Sequence, residues 1–199
     1  MKTFLTADYH LGEDRFHLMG RPFETKDEHI NHLVDEHNKL VSPEDEVIIV
    51  GDVCYQKSPE SLVHIERFNG KKTLIRGNHD RVFTDEQLRP YFHTIVKEGD
   101  GIYMTIMDIP CYLTHYPTQG KCDVLNIVGH IHSAWKFQLN MINIGVDVNH
   151  FRPIDTTRIP FFLAAISTFY DDDVWVATNE INSQFNGLRG KVGSYFDKV

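Results

Sequence analysis

Carboxylate, amide and imidazole side chains recur at five points of this chain, each directly after a short apolar run. The groups are Asp8 with His10, Asp52, Asn78 with His79 and Asp80, His115, and His130 with His132. Together these side chains are typical ligands of divalent metal ions. Two such ions about 3.5–4 Å apart can hold the attacking and leaving oxygens of a phosphoryl-transfer reaction. The pattern therefore predicts a site for divalent metal ions, and phosphoryl transfer is one reaction that such a site can perform.

The spacing within these groups favours a common site. Residues two apart in an extended segment point the same way, so Asp8 and His10 would face one centre, as would His130 and His132. A glycine comes directly before three of the groups and would let the backbone turn sharply where a Cβ would obstruct it. These glycines are Gly51, Gly77 and Gly129.

The apolar runs before these side chains have the composition of buried strands, because they are short and rich in Val, Ile, Leu and Thr. In open α/β sheets, ligands bind just beyond the carboxyl ends of the strands. If the strands lie side by side, their polar ends meet at one rim. The elements therefore predict how residues far apart in the sequence reach one site.

The first half of the chain alternates predicted strands and helices. Thr25 and Glu28 have the spacing of a capping box, which predicts a helix that ends at Leu40. Ser58-Pro59 predicts the start of a second helix. The resulting β-α-β-α-β order implies parallel strands with right-handed crossovers.

After about Tyr91 the pattern changes to strands separated by short turns, which we expect to pair as hairpins. Strands are predicted over 91–98, 101–107, 110–114, 125–128 and 141–145, a helix over 159–167, an edge strand over 174–177 and a loose tail over 186–199. We therefore predict an α/β fold of four layers, with two central mixed sheets flanked by helices. Residues 1–199 would form a single domain.

Composition narrows the class of protein. The chain has 199 residues, of which 41% are hydrophobic and 24% charged, as in ordinary globular domains. A net charge of −8 disfavours a broad basic face for nucleic acid. The three cysteines form no C-x-x-C pair, which favours a reducing compartment, with the cytoplasm as default. We expect no membrane span, which needs roughly 18 apolar residues, and no signal peptide.

Taken in order, the five groups resemble the signature motifs of the calcineurin-like metallophosphoesterases. The motifs are Asp8-x-His10, Gly51-Asp52, Gly77-Asn78-His79-Asp80, His115 and Gly129-His130-x-His132. Arg21-Pro22-Phe23 and the stretch 143–149 followed by Arg152-Pro153 resemble the small single-domain bacterial and phage members. The resemblance implies two divalent transition metal ions. Mn²⁺ is the first choice, and such ligands also accept Fe²⁺, Ni²⁺ or Zn²⁺.

The resemblance also implies a role for each residue. One metal would be held by Asp8, His10, Asp52 and His132, and the other by Asp52, Asn78, His115 and His130, with Asp52 bridging. A metal-bridging hydroxide would attack phosphorus. His79 would face the substrate and protonate the leaving oxygen, and Asp80 would orient the His79 ring. Four residues are candidates for substrate contact: Asn78, Arg81, His17 and Arg21.

Departures from the family pattern indicate the substrate class. Members that act on phosphoproteins carry an Asp-Arg-Gly after the bridging Asp, whereas Asp52 is followed by Val53-Cys54-Tyr55. With no large inserted cap, a nucleotide or other small phosphodiester is the favoured substrate. The alternatives are a nucleotide phosphomonoesterase, a nuclease with nucleic acid as substrate only, and a scaffold that has lost its metals. The sequence carries no signal for an oligomeric state.

Overall fold

The strands of this protein form two five-stranded sheets. A computed structural model of the chain describes residues 1–138 and 140–169. The strands are β1 Thr3–Thr6, β2 Glu46–Val50, β3 Lys71–Ile75, β4 Thr94–Val96, β5 Ile102–Ile106, β6 Ile109–Thr114, β7 Leu125–Val128, β8 Phe137–Gln138, β9 Met141–Asn143 and β10 Ile154–Asp155. The helices are α1 Phe16–Met19, α2 Lys26–Asn38, α3 Asp85–Leu88 and α4 Ile159–Phe169. Short 3₁₀ segments cover Pro59–Arg67, His79–Val82, Pro117–Gln119, Val146–Val148 and Thr156–Arg158.

Both sheets are mixed. The first has the order β10-β1-β2-β3-β4, in which β1 to β4 are parallel and β10 is antiparallel to β1. The second has the order β5-β6-β7-β9-β8, in which β6, β7 and β9 are parallel and the two edge strands antiparallel. This arrangement confirms the predicted α/β class with two mixed sheets.

Two apolar layers hold the sheets and helices together, because successive strand residues point to opposite faces. On one face of the first sheet, Leu5 packs in a buried cluster with Ile127 of the second sheet. On the other face, its neighbour Phe4 packs in a cluster with Leu33 of α2 and Ile65 of the 3₁₀ segment. The first sheet therefore lies between the second sheet and a layer of helices, and the docking of the two sheets is hydrophobic.

The helical connections differ in detail from the prediction. The Thr25 side chain accepts the Glu28 N–H at 3.1 Å, but the Glu28 carboxylate accepts from Glu24, so only half of the capping box forms. The helix α2 ends at Asn38, not at Leu40. The second predicted helix is the 3₁₀ segment that begins after Ser58, whose side chain caps nothing.

The second half departs further from the expected hairpins. The predicted strand 91–98 is the shorter β4, which pairs in parallel with β3 in the first sheet. Within the second sheet, the described strands form two antiparallel pairs, β5–β6 and β8–β9, since β6, β7 and β9 run parallel. The predicted helix at 159–167 is confirmed as α4, whereas the strand at 174–177 and the tail at 186–199 lie outside the described residues. Within those residues, no helix has the length and hydropathy that a membrane span requires.

A buried histidine joins α2 to the first sheet. His37 Nε2 lies 3.0 Å from the Asn69 carbonyl oxygen, and since a carbonyl only accepts, this nitrogen carries the proton. The other ring nitrogen, Nδ1, then accepts from the Tyr9 hydroxyl at 2.7 Å. Burial lowers the pKa of His37 to about 4. The folded protein therefore holds this ring neutral.

We predict that this ring contributes to acid denaturation. Between the unperturbed pKa of 6.5 and the folded pKa of about 4, the unfolded chain binds a proton at His37 that the folded chain does not. The free energy of unfolding therefore falls as pH falls through this window, by up to ~3 kcal/mol for this one residue. His37→Gln should make the decrease shallower. Urea denaturation at about pH 7, 5.5 and 4.5 measures it, and identical slopes in both proteins would contradict the prediction.

Candidate metal centre

The five predicted groups lie at the carboxyl ends of strands from both sheets. Three follow β1, β2 and β3 of the first sheet, and two follow β6 and β7 of the second. An isolated parallel bridge between Ala7 and Gly145 joins the sheets beside them. The rim expected from one row of strands is therefore assembled from two sheets.

Most candidate ligands have left-handed backbone conformations. The φ angles are +63° at Asp8, +51° at His10, +55° at Asp52, +75° at His130 and +48° at His132. Residues other than glycine seldom adopt this region, and strained backbone is concentrated at functional sites. The Asp-x-His and His-x-His segments are therefore turns, which corrects the expectation of extended segments.

Two glycines let these turns approach one another. Gly51 has a φ of +87°, and a Cβ on it would lie 2.2 Å from His115 Nδ1. A Cβ on Gly77 would lie 2.3 Å from Asp52 Oδ1. The predicted role in turning the backbone holds for Gly51, whereas Gly77 is required because any side chain would displace Asp52.

Asp52 is common to two groups of possible ligands. Its Oδ2 lies 3.5 Å from His10 Nε2 and 3.3 Å from His115 Nε2. Potential ligand atoms of His10, Asp52 and His79 lie within 4.8 Å of one another, as do those of Asp52, His115 and His130. One carboxylate shared by two groups is the arrangement that a bridging ligand needs.

His115 has a fixed tautomer. Its Nδ1 lies 2.8 Å from the Val50 carbonyl oxygen, so Nδ1 carries a proton and Nε2 faces Asp52 and, at 3.3 Å, Asn78 Oδ1. Burial alone would lower the pKa of His115, but the hydrogen bond to Asp52 and the charge of Asp8 outweigh it and raise the pKa to about 9. A cation bound here would displace the proton on Nε2.

His10 provides the test of whether a metal fits. The ring is 2% exposed, and neither of its nitrogens has a hydrogen-bond partner among the described residues. Burial lowers the pKa of His10 to about 4, so the ring is neutral and one nitrogen keeps a lone pair. Leaving buried polar atoms unpaired costs free energy. Coordination of a cation would relieve that cost, so the donor set fits a metal.

Asp8 connects the ends of β1 and β7. Both of its carboxylate oxygens lie 3.0 Å from the His130 N–H nitrogen. Burial raises the pKa of Asp8 to about 6, although the charges of His115 and His132 act in the opposite direction. The carboxylate is therefore held between histidines of the second sheet, where a cation would favour its ionised form.

A buried ion pair orients His132, and sequence analysis missed it. His132 Nδ1 lies 2.8 Å from Asp147 Oδ2. Arg21 donates to both oxygens of Asp147, at 2.7 and 2.9 Å. Its guanidinium also donates to the carbonyl oxygens of Asp8 at 2.6 Å and Tyr9 at 2.9 Å. A carboxylate behind an imidazole typically fixes the orientation and tautomer of a metal-ligating histidine.

The position of Arg21 changes its expected role. It was a candidate for substrate contact, but its side chain is 0% exposed, and its remaining N–H donates to His29 Nε2 at 2.9 Å, so all five donors are used within the protein. The sequence signal was present in Arg21-Pro22-Phe23 and in the stretch 143–149. No local pattern indicated that Arg21 pairs with Asp147, because the two residues are 126 positions apart in the sequence. Arg21 is therefore a positioning residue in this structure.

Asp80 does not contact the His79 ring, which corrects the expected pair. Its carboxylate accepts the N–H groups of Gly77 at 2.8 Å, Asp52 at 2.9 Å and Val53 at 3.0 Å. Burial raises the pKa of Asp80 to about 7, and the charge of Asp52 adds to the effect. Asp80 therefore fixes the loop that presents Asp52.

His79 lies at the open side of the centre and is only half-buried. Its ring centroid is 4.6 Å from that of His10 and 5.6 Å from that of Tyr55. The Gln56 N–H donates to Nδ1 over a long 3.4 Å. Burial lowers the pKa of His79. Of the catalytic pair predicted from sequence, only His79 can therefore reach a bound substrate.

An arginine that sequence analysis missed flanks this open side. The Arg15 guanidinium lies 4.7 Å from the centroid of the Tyr55 ring, and Tyr55 in turn contacts His79. The buried Glu13 carboxylate accepts from Arg15 Nε and Nη2, both at 3.0 Å. No local pattern marks Arg15, because its position depends on how the loop after β1 folds.

Arg81 lies on the other flank. It pairs with Glu98, and its Nη2 is 3.5 Å from the Tyr116 hydroxyl. The Tyr116 ring lies 4.9 Å from the rings of both His115 and His130. This position suits the substrate contact predicted for Arg81.

His17, the remaining candidate for substrate contact, is exposed on α1. None of the hydrogen bonds or ring contacts between described residues joins His17 to the centre, so the structure gives it no part there.

The sequence matches the family of calcineurin-like phosphoesterases over residues 1–185. The chain belongs to this family. Calcineurin-like phosphoesterases use divalent metals, and the candidate ligands described above suit such ions. The chain is therefore a metal-dependent phosphoric ester hydrolase by family. A comparison with curated proteins finds no match.

Several solved structures are similar to this calcineurin-like phosphoesterase. A protein of unknown function from Aquifex aeolicus is 22% identical, with a TM-score of 0.63 over 81% of this chain and 98% of its own. A novel archaeal phosphodiesterase is 21% identical, with a TM-score of 0.39 over 73% of this chain and 82% of its own. A predicted phosphoesterase from Streptococcus pneumoniae is 14% identical, with a TM-score of 0.35 over 72% and 70%. The first of these supports the fold assignment.

Asp147→Asn should weaken metal binding through His132. Removing a partner that orients a metal-ligating histidine typically costs 10–100-fold in affinity, so we expect a loss of about that size. Calorimetric titration of the metal-free protein with Mn²⁺ measures it. Asp85→Asn is the control, because Asp85 pairs with Arg76 and is 58% exposed. Equal Mn²⁺ affinity in Asp147→Asn and wild type would show that Asp147 does not position His132.

Proposed function

We propose that this protein is a phosphodiesterase that uses two divalent transition metal ions to hydrolyse a nucleotide or other small phosphodiester. The observation that carries the proposal is Asp52, which two groups of candidate ligands share. One metal would be held by Asp8, His10, Asp52 and His132, and the other by Asp52, Asn78, His115 and His130. When bound, such ions polarise phosphoryl oxygens and lower the pKa of water.

His79 would act on the leaving oxygen. Its ring is half-buried at the open side, beside His10 and 5.6 Å from the Tyr55 ring. An anionic phosphate next to this ring would raise its pKa and favour the protonated form, which can donate to the departing alkoxide. The Asp52 Oδ1 accepts the His79 N–H at 2.8 Å, so the backbone of the acid is tied to the shared carboxylate.

Two arginines would orient the phosphodiester. Arg15 lies beside Tyr55 and Arg81 beside Tyr116, and each guanidinium is held in place by a carboxylate, Glu13 and Glu98 respectively. Guanidinium groups bind phosphate oxygens through paired N–H donors. Tyr116, which is half-buried, adds aromatic surface beside Arg81, which suits the base of a nucleotide.

An open rim favours a diester over a monoester. The flanks consist of single side chains on short segments, so a substrate that extends on both sides of phosphorus can cross the centre. The net charge of −8 disfavours a long nucleic acid as substrate. The unpaired nitrogens of the buried His10 disfavour a scaffold without metals.

The cysteines support a cytoplasmic protein. Cys54 is buried in the layer beside α2, whereas Cys111 is buried between the sheets, so the two belong to separate cores. Burial raises the pKa of the Cys111 thiol to about 12, which keeps it protonated and unreactive. Both thiols therefore serve as core side chains, as expected in a reducing compartment.

The substrate class is tested by hydrolysis of bis-nitrophenyl phosphate against nitrophenyl phosphate in the presence of Mn²⁺. We expect kcat/KM for the diester to exceed that for the monoester by about tenfold or more, which corresponds to ~1.4 kcal/mol of transition-state binding. The reverse preference would identify a phosphomonoesterase. Efficient cleavage of single-stranded DNA or RNA would identify a nuclease. A purified protein that binds no Mn²⁺ would be a scaffold.

His79→Ala separates the roles of the site residues. We expect kcat to fall by ~10²–10⁴-fold, as on loss of a positioned acid, while the metal content stays near that of wild type. Asp52→Asn should instead lose at least one equivalent of metal. Elemental analysis and steady-state kinetics measure both, with His93→Ala at an exposed histidine as control. Equal metal loss in both variants would make His79 a ligand, together with His10 and Asp52.

A further inference from the structure

A cavity, here called the basic cavity, is lined by none of the candidate metal ligands. Its volume is about 510 Å³, and it is lined by residues around β10, the start of β1 and the start of α4. Volumes of roughly 300–1,000 Å³ are typical of small-molecule sites. Phe4, near the start of β1, lines this cavity, whereas Asp8 of the candidate metal centre lies beyond the end of β1. The two sites therefore lie at opposite ends of β1.

The charge of the basic cavity is opposite to that of the protein. Its basic lining residues are Lys2, Lys136, His150, Arg152 and Arg158. Only one carboxylate, Asp155, lines it. The whole chain has a net charge of −8, so this group of basic side chains gives the cavity a charge opposite in sign to that of the chain. Clefts lined by one sign of charge concentrate ligands of the other.

Two of these cations have no acidic partner. Lys2 lies 3.2 Å from Asp155, and Arg152 pairs with Glu36. Lys136 and Arg158 have no ion pair with any residue that the structure describes. Among the described residues, nothing therefore compensates the charges of Lys136 and Arg158 in this cavity, and a bound dianion would do so.

Lys136 and Arg158 both lie against the ring of Phe162. The Lys136 Nζ lies 5.3 Å from the centroid of Phe162, and the Arg158 Cζ lies 5.9 Å from the same centroid. Lys136 also donates to the Val148 carbonyl oxygen at 3.2 Å, which fixes its end. Burial lowers the pKa of Lys136, and the nearby charge of Arg158 adds to the effect. Such a pair of like charges is unfavourable until an anion binds.

The backbone beside the cavity is also strained. His150 and Phe151 have φ angles of +56° and +59°, and the preceding Asn149 side chain donates to the carbonyl oxygen of Gly145 at 2.8 Å. Among the described residues, the other consecutive left-handed pair without a glycine, at 107–108, is a two-residue hairpin turn between β5 and β6, where this geometry is ordinary. His150 and Phe151 lie in no hairpin. Strain of this kind is concentrated at functional sites.

We propose that the basic cavity binds an organic phosphate monoester, with its phosphate at Lys136 and Arg158 and its apolar part against Phe162. A phosphate monoester carries about −1.5 to −2 charge at neutral pH, which matches the two uncompensated cations. Guanidinium and ammonium groups both bind phosphate oxygens. Contact with the Phe162 ring should distinguish an organic phosphate from inorganic phosphate, because only the organic phosphate buries apolar surface there.

Isothermal calorimetry with phenyl phosphate and adenosine monophosphate tests the proposal. The titrations use the full-length Asp52→Asn chain and, as a second background, the wild-type chain in EDTA, so that the metal centre neither binds nor hydrolyses the probe. We expect one saturable site for at least one probe in both backgrounds. Arg158→Gln and Lys136→Gln should each weaken that binding at least about tenfold, because each removes a charged hydrogen bond. Arg89→Gln, an exposed arginine outside the cavity, should change nothing.

Phe162→Leu provides a variant that leaves the charges intact. It should weaken binding of phenyl phosphate but not of inorganic phosphate. Three results would overturn the proposal: no saturable binding of either organic probe, affinity that is unchanged in both charge variants, or inorganic phosphate that binds as tightly as phenyl phosphate. Circular dichroism of each variant excludes loss of the fold as the cause.

Discussion

The position of Asp52 is the constraint on which the rest of the centre depends. Its backbone is left-handed, its N–H donates to Asp80 at 2.9 Å, and its Oδ1 accepts the His79 N–H at 2.8 Å. These bonds tie the end of β2 to the loop after β3. They leave Oδ2 facing His10 and His115. The strained turn after β2 is therefore held by hydrogen bonds to His79 and Asp80 in the loop after β3.

The second requirement is that the two sheets stay docked. Asp8, which follows a strand of the first sheet, accepts from the N–H of His130, which follows a strand of the second. Arg21, in the loop after β1, donates to the Asp147 carboxylate that orients His132. Both contacts cross between sheets whose packing is hydrophobic. Because the candidate ligands are divided between the sheets, we expect metal binding to be coupled to the global stability of the fold.

Local sequence patterns predicted the ligand types and most strands, because apolar runs and the residues that end them are short-range features. Partners far apart in sequence were not predictable. Arg21 pairs with Asp147 across 126 positions, and Asp80 binds backbone N–H groups that any residue could present. The sheet membership of β4 was missed for the same reason, since its short apolar run specifies a strand but not its neighbour. The left-handed turns at the ligands oppose local propensity and are imposed by tertiary contacts.

Anomalous diffraction from crystals grown with Mn²⁺ tests the central claim most directly. If Asp52 is the shared ligand, the map contains two peaks about 3.5–4 Å apart, one near His10 and the other near His115, with the Asp52 carboxylate between them. A single peak, or peaks away from Asp52, would contradict the account.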